Sequence, residues 1–438
     1  MRQRSYALLT ALCLTLLGAA PPAKPAQAPM RFPKATVVDL GGLQLVRETE
    51  DDAKLAGLQV FFSAGLDRET ADQNGLAALT AESLLRTLVD GSAVRDAIAS
   101  RGGSVDYTID GRETRFYLEA PAETMPEVIG LFARAVGAPD FSAPTVAVSR
   151  AALTARINDT EGNALSVAVQ MFRRSYYGGG AGLPSLGTAS SLAALTAKDA
   201  ARFFAANYRS SGMSASAVGR VTPALTDAVR ALGGAAPGGA TSKAVNKANP
   251  IPANAPRIVA RRDVGAPIVI VGYGAPSPGS ADFGPMLVLE SLLATSFERV
   301  SATSLGVVQR SIGASYLYDG TPASLVVYIN GNRVDPTVAM SELLLVAKTL
   351  ASKPMNAASL RGFKTAAEGT FVTDNVTLSD RSYLLGTLTA QGRGPDAVNA
   401  ALVSIERTTP ADVQRVAKRY LQRYIVALIV PRSASEGT

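Results

Sequence analysis

The sequence carries one pattern of landmarks twice, roughly 210 positions apart, and this repeat limits the fold to two domains of similar plan. Residues 103–120 form a strand pattern, a turn at Asp110 and a second strand pattern, as in a β-hairpin. Residues 313–329 repeat this order around a turn at Asp319. The two aspartates are 209 positions apart, which predicts a duplicated hairpin.

Further landmarks keep nearly the same spacing. Tyr107 and Tyr316 are also 209 positions apart. Each half ends in a predicted helix followed by a strand, and Asp199 and Asp412 in those helices are 213 positions apart. Strands that can pair as hairpins alternate with runs of helices. The pattern predicts an α+β fold of two homologous α/β-sandwich domains, each a mixed, mostly antiparallel sheet flanked by helices.

Residues 233–256 separate the two halves. They are rich in glycine, alanine, proline, serine and asparagine and show no apolar periodicity, which predicts a linker of moderate flexibility. The resulting domains are an N-terminal one over residues 29–232 and a C-terminal one over residues 257–438.

Residues 1–28 have the pattern of a secretory signal peptide. Arg2 and Arg4 give a basic start, residues 6–20 are an apolar run too short to span a bilayer comfortably, and residues 26–28 fit a cleavage site. An uncleaved anchor is the alternative. We expect an exported, periplasmic protein without a stable membrane anchor.

The chain contains no histidine, and its single cysteine, Cys13, lies inside the predicted signal peptide. The mature chain therefore lacks Ser-His and Cys-His nucleophiles and the commonest metal ligand. A site built from carboxylates alone is the metal chemistry left open, and no carboxylates cluster with suitable spacing. The net charge of +7 is weak evidence for nucleic-acid binding, and we expect none.

Residues 58–87 combine a buried strand, a polar loop and a helix that begins near Asn74 and Gly75. With Gly75, Leu76 and Ala77 at the helix start, this segment resembles the pitrilysin, insulinase and mitochondrial processing peptidase family of inverted zinc peptidases. The resemblance extends over most of the mature chain and includes the two similar halves and the linker. It implies two peptidase-like domains.

The family's His-x-x-Glu-His zinc motif is missing from this helix. The resemblance places Ala78 at the first ligand, Ala81 at the general base and Glu82 at the second ligand. Arg156 falls at the third ligand, a glutamate in the family. These positions imply a degenerate site with neither metal ligands nor catalytic residues. We expect an ion pair between Glu82 and Arg156; the alternative for Glu82 is a solvated helix carboxylate.

Residues 307–320 resemble a second element of the family, in which an arginine and a tyrosine bind the substrate backbone near the zinc. Tyr316 matches the tyrosine, and Arg310 lies next to the arginine register, where Gln309 stands. A phenol and a guanidinium can both donate to a peptide carbonyl. The alternative is a tyrosine packed in a sheet and a surface arginine.

Taken together, the resemblance implies a catalytically silent member that pairs with a zinc-bearing sister subunit, as in the heterodimeric processing peptidases. The chain would then be no enzyme by itself: it would supply chamber wall and peptide-binding contacts, with zinc held by the sister and the peptide added to a sheet edge. The alternative is a non-enzymatic peptide-binding or scaffold protein that acts without a peptidase partner. A Ser-Lys hydrolase has no distinctive spacing in its favour, and residues 272–279 lack the third glycine of a nucleotide loop.

Overall fold

The computed structural model describes residues 30–246, 257–304, 310–318, 322–331 and 334–432, with backbone alone for residues 300–304 and 310. Its strands are β1 (Ala35–Asp39), β2 (Gln44–Thr49), β3 (Leu55–Phe62), β4 (Leu88–Val89), β5 (Ser92–Ala93), β6 (Ser104–Ile109), β7 (Thr114–Pro121), β8 (Met213–Gly219), β9 (Arg257–Arg262), β10 (Ile268–Gly274), β11 (Arg310–Leu317), β12 (Ser324–Gly331) and β13 (Tyr424–Pro431).

The helices of the described part mostly occur in runs between these strands. They are α1 (Leu76–Leu85), α2 (Val94–Ala99), α3 (Met125–Gly137), α4 (Ala143–Gly162), α5 (Ala164–Tyr177), α6 (Ala189–Ala194), α7 (Ala197–Asn207), α8 (Pro223–Ala235), α9 (Phe283–Ser304), α10 (Pro336–Ser352), α11 (Ala357–Thr373), α12 (Leu378–Ala390), α13 (Ala397–Arg407) and α14 (Pro410–Tyr420).

The first sheet has six strands in the order β1-β2-β8-β3-β7-β6. Adjacent strands in this sheet are antiparallel, except for the parallel pair β2 and β8. Strands β6 and β7 pair as a hairpin with Tyr107 opposite Phe116. This pairing confirms the hairpin predicted for residues 103–120.

The second sheet repeats the order of the first without β1. Its strands run β11-β12-β10-β13-β9, and the single parallel pair is again the one that involves the last strand of the half, β13 with β9. Tyr316 lies opposite Leu325, which is the place Tyr107 holds in its own hairpin, while the predicted turn at Asp319 lies outside the described residues. Two mixed, mostly antiparallel sheets flanked by helices confirm the predicted fold class.

The aspartates spaced 213 positions apart mark two equivalent helix caps. Thr196 caps α7 by accepting the backbone N–H of Asp199, whose carboxylate accepts the N–H of Thr196 in return. Thr409 and Asp412 form the same capping box at the start of α14. Each capped helix leads into the strand that ends its half, β8 or β13, so the sequence landmark reports a real structural repeat.

Each half covers the other half's sheet with one helix. Helix α5 packs on β10 and β13 of the second sheet, and helix α12 packs on β3 and β8 of the first. The residues that cap these two helices, Asn163 and Thr377, are 214 positions apart, so the exchanged helices are equivalent elements. The exchange explains why β3 and β10 are buried on both faces.

The predicted linker is structured where it is described. Helix α8 extends through Ala235, and the segment that follows is hydrogen-bonded along the first half. Backbone N–H groups of Ser210 and Ser242 bond Pro237 and Ala206, and the N–H of Asn246 bonds the carbonyl of Asp67. The remaining linker residues lie outside the described part, as does the predicted signal peptide over residues 1–28.

In the described part of the chain, no helix is both long enough and apolar enough to cross a bilayer.

Candidate functional site

The helix that should carry a zinc motif, α1, is buried along its whole length. It begins after Gly75, whose φ of 95° is the left-handed conformation that glycine adopts most readily. Ala78 and Ala81 are both 0% exposed, and Glu82 is 1% exposed. The degenerate positions therefore face the packed interior of the first half, with α4, α7 and β6 as neighbours.

Glu82 is paired with two arginines, and Arg156 is not one of them. Its Oε1 lies 2.8 Å from an Nη atom of Arg86, one turn further along α1, and 3.4 Å from an Nη atom of Arg95 on α2. Arg156 instead donates to the hydroxyl of Tyr107 at 3.0 Å. The expected ion pair between Glu82 and Arg156 is therefore wrong, and so is the solvated alternative, because Glu82 is buried and locally neutralised.

The phenol of Tyr107 lies between these two groups. Burial and the neighbouring Glu82 carboxylate raise the pKa of Tyr107, while Arg156 acts in the opposite direction. The Arg156 guanidinium also lies near the Tyr107 ring, 5.1 Å from its centroid. The phenol therefore stays protonated and links the arginine to the acid, so the position of the family's third ligand carries a fixed cation.

The residues at this site do not fit a zinc ion. On α1, the positions that the resemblance assigns to the first ligand and the general base are alanines, and Glu82 already binds Arg86 and Arg95. Arg156 would add a positive charge next to any divalent cation. Among the described residues, no group of three or more His, Cys, Asp or Glu side chains is placed to hold a metal ion.

Glu69 anchors the start of α1, and the sequence analysis missed it. Its carboxylate accepts the backbone N–H groups of Gly75 and Ala77 at 3.0 and 2.6 Å and the side-chain amide of Asn74 at 2.9 Å. These N–H groups belong to the first turn, where a helix leaves donors unpaired. The signal available in the sequence was an acid shortly before the Asn-Gly that starts the helix.

We expect Glu69→Gln to change how stability depends on pH. Burial raises the pKa of Glu69 to about 7, above its ordinary value of 4.5. The protonated form is thus favoured in the folded state, so its contribution is complete below pH 4.5 and is lost as the pH rises through 7. The difference in unfolding free energy between the native chain and Glu69→Gln should fall by about 3 kcal/mol across that window.

Urea denaturation at a series of pH values measures this difference. Glu123→Gln removes one carboxylate from an exposed position and is the matched control. A profile for Glu69→Gln that runs parallel to that of the native chain would contradict the prediction.

The two residues expected to contact a peptide lie on the edge strand β11. Tyr316 is 8% exposed, and its hydroxyl donates to the carbonyl of Pro276 within the same half. Its backbone N–H donates to Glu290 Oε1 at 3.0 Å. The backbone of Arg310 pairs with Gly331, whereas its side chain and all of Gln309 lie outside the described residues.

Two family models match the chain side by side. Residues 45–188 match the model described as Insulinase (Peptidase family M16), and residues 194–362 match the Peptidase M16 inactive domain. Together they span more than half of the sequence. The chain belongs to the M16 peptidase family. No curated protein sequence is significantly similar to it.

Solved structures share the fold over nearly the whole chain. A protease from Helicobacter pylori is 16% identical with a TM-score of 0.81, covering 92% of this chain and 100% of its own. A peptidase M16 inactive domain from Pseudomonas fluorescens is 14% identical with a TM-score of 0.79, covering 91% and 99%. A chain of Complex III2 from Candida albicans is 14% identical with a TM-score of 0.73, covering 90% and 95%.

The M16 assignment confirms the family that the sequence resembles. The part of the chain that matches the peptidase model includes Ala78, Ala81, Glu82 and Arg156. The chain has an M16 peptidase fold, and the four positions that the resemblance assigns to the zinc site hold two methyl groups, a paired acid and an arginine.

Proposed function

We propose that this M16 chain is the zinc-free subunit of a heterodimeric zinc metallopeptidase that acts in the periplasm after export. A homologous sister subunit supplies the zinc and the general base, and this chain supplies chamber wall and peptide-binding contacts. The observation that carries the proposal is the first-half site, where Glu82 is held by Arg86 and Arg95 beside the buried Ala78 and Ala81.

The paired Glu82 carboxylate favours a structural role for this site over a catalytic site that has lost its zinc. An unpaired buried carboxylate would be costly, and here it is fully paired, so the helix is stable without a metal. The match of residues 194–362 to the M16 inactive domain supports the same view. The similar fold within a Complex III2 supports a role for such chains inside assemblies.

The peptide contacts proposed for this chain are Arg310 and Tyr316. Strand β11 is the last strand in the order of the second sheet, so an extended peptide can add to it by main-chain hydrogen bonds to groups other than the Tyr316 N–H, which Glu290 accepts. For Tyr316 to donate to a peptide carbonyl, its hydroxyl must exchange the carbonyl of Pro276 for that of the peptide.

Co-expression with a zinc-bearing M16 relative from the same genome tests the proposal. We expect the purified chain to bind no stoichiometric zinc and to cleave no peptide, the relative alone to be weakly active, and the mixture to be active and sensitive to chelators. In the mixture, Arg310→Ala and Tyr316→Phe should each lower kcat/KM by about tenfold, the value of one lost hydrogen bond of about 1.4 kcal/mol.

Arg262→Ala, on the opposite edge strand β9, is the matched control and should leave kcat/KM unchanged. One-to-one zinc in the purified chain with chelator-sensitive cleavage would contradict the proposal. A stable homodimer that binds peptides, in a genome without a zinc-bearing relative, would favour the second candidate, a peptide-binding or scaffold protein.

A further inference from the structure

A cavity of about 600 Å³ lies in the second half, between α9, β11 and α11. The polar residues in its lining include Glu290, Tyr316, Tyr318, Thr370, Asp374 and Asn375. Glu290 and Asp374 are the carboxylic acids among the lining residues, which include no basic side chain. Within the described part of the chain, neither has an ion-pair partner.

The Glu290 wall is the counterpart of the degenerate zinc site. Residues 82–87 read Glu-Ser-Leu-Leu-Arg-Thr, and residues 290–295 read Glu-Ser-Leu-Leu-Ala-Thr, 208 positions later. Both segments lie on the helix that follows the central strand of their sheet, α1 after β3 and α9 after β10. Glu290 thus corresponds to Glu82, and Ala294 corresponds to Arg86.

The opposite wall also has a counterpart. Arg150 on α4 donates to the carbonyl of Leu195 at 2.6 Å, and Lys364 on α11 reaches the carbonyl of Thr408 at 3.5 Å. Both carbonyls come just before the capping boxes of α7 and α14, so the two helices are in the same register. The shift of 214 positions between Arg150 and Lys364 then places Thr370 where α4 has Arg156.

The cavity occupies the space that guanidinium groups fill in the first half. There, Arg86 binds Glu82 and Arg156 reaches the neighbouring tyrosine from α4. In the second half the corresponding residues are Ala294 and Thr370, and both line the cavity. The acid is present in both halves, whereas small side chains stand in the second half where the first half has Arg86 and Arg156.

We propose that this cavity binds a guanidinium or primary ammonium group that pairs with the Glu290 carboxylate. In a bound peptide the cavity would accept an arginine or lysine side chain. The inference needs no sister subunit, because every residue it uses belongs to this chain.

The electrostatics of the cavity agree with this assignment. Burial raises the pKa of Glu290 to about 8, and burial together with Asp380 raises the pKa of Asp374. A bound cation stabilises the ionised carboxylate, so binding at pH 7 should release a proton from Glu290. Calorimetric titrations in buffers of different ionisation enthalpy measure that proton.

Titration of the purified full-length chain with arginine amide tests the proposal. We expect saturable binding, at least about tenfold weaker binding of citrulline amide, the neutral isostere, and a loss of at least about tenfold in Glu290→Gln. Agmatine and acetyl-Ala-Arg-Ala-amide distinguish the source of the group: tighter binding of the peptide indicates a peptide side chain, and equal binding indicates a small free amine.

A second variant keeps the test decisive if Glu290→Gln folds poorly. Thr370→Arg restores the guanidinium of the first half, so it should raise the melting temperature and abolish arginine amide binding. Thr370→Gln, of similar length but uncharged, should do neither. Equal binding of arginine amide and citrulline amide, or unchanged binding by Thr370→Arg, would overturn the proposal while leaving the subunit proposal standing.

Discussion

Arg381→Ala is expected to lower the free energy of unfolding by about 3–5 kcal/mol. Arg381 on α12 of the second half donates through Nε to Glu48 Oε1 at 3.0 Å, and its Nη2 binds Glu48 Oε2. Glu48 lies on β2 of the first sheet, and both side chains are almost fully buried. The guanidinium also lies 3.7 Å from the centroid of the Phe32 ring. Truncation leaves a carboxylate buried between the halves without its cation.

Urea denaturation measures this loss, and two further variants separate its causes. Arg134→Ala breaks an exposed ion pair with Asp90 and should leave the free energy of unfolding nearly unchanged. Arg381→Met combined with Glu48→Leu removes both charges and should recover most of the stability lost by Arg381→Ala. Similar losses for Arg381→Ala and Arg134→Ala would mean that the buried pair does not hold the halves together.

The duplicated plan could be predicted because its landmarks have local causes. Asp199 and Asp412 are N3 residues of capping boxes, and Tyr107 and Tyr316 hold equivalent places in their hairpins. Each of these roles depends on residues close in sequence. Equal spacing in the two halves therefore predicts the same caps and hairpins in both.

The helix exchange could not be predicted, because it depends on contacts between distant residues. An amphipathic helix such as α5 shows that one face is buried but not against which sheet. The sequence of β3 predicts a buried strand but does not say which helix covers each of its faces. In the structure, Gln59 donates to the carbonyl of Ser379 and Ser216 to that of Ser382, so α12 covers this face of the sheet.

The partners of Glu82 illustrate the same limit within a site. Arg86 is four residues away on the same helix, a spacing that favours an ion pair and is visible in the sequence. Arg95 and Arg156 approach through tertiary packing, and sequence alone cannot rank them. The cavity beside Glu290 could not be predicted either, because α9, β11 and α11 come together only through tertiary packing.

Phe172→Ala is expected to cost about 3–5 kcal/mol, because it opens a cavity under the second sheet. Phe172 lies on the exchanged helix α5, is fully buried and packs among residues that include Ile270 and Ala427. Its ring covers Gly272 so closely that a Cβ built there would overlap it. Val148→Ala, on an exposed face of the neighbouring helix α4, should cost less than about 0.5 kcal/mol in the same denaturation experiment.

A similar contact in the other half has the same two residue types in reverse. Gly386 on α12, nine residues after its cap as Phe172 is on α5, lies against Phe61 of β3. In the first sheet a ring from the strand fills the space between helix and strand, whereas in the second sheet a ring from the helix fills it.

Phe172→Gly and Gly272→Phe should each destabilise the chain, the second by collision with Phe172. The double variant should recover roughly 1–3 kcal/mol relative to the sum of the two, since it recreates the Phe61 and Gly386 arrangement. Additive effects would show that the two helix–sheet contacts are not interchangeable.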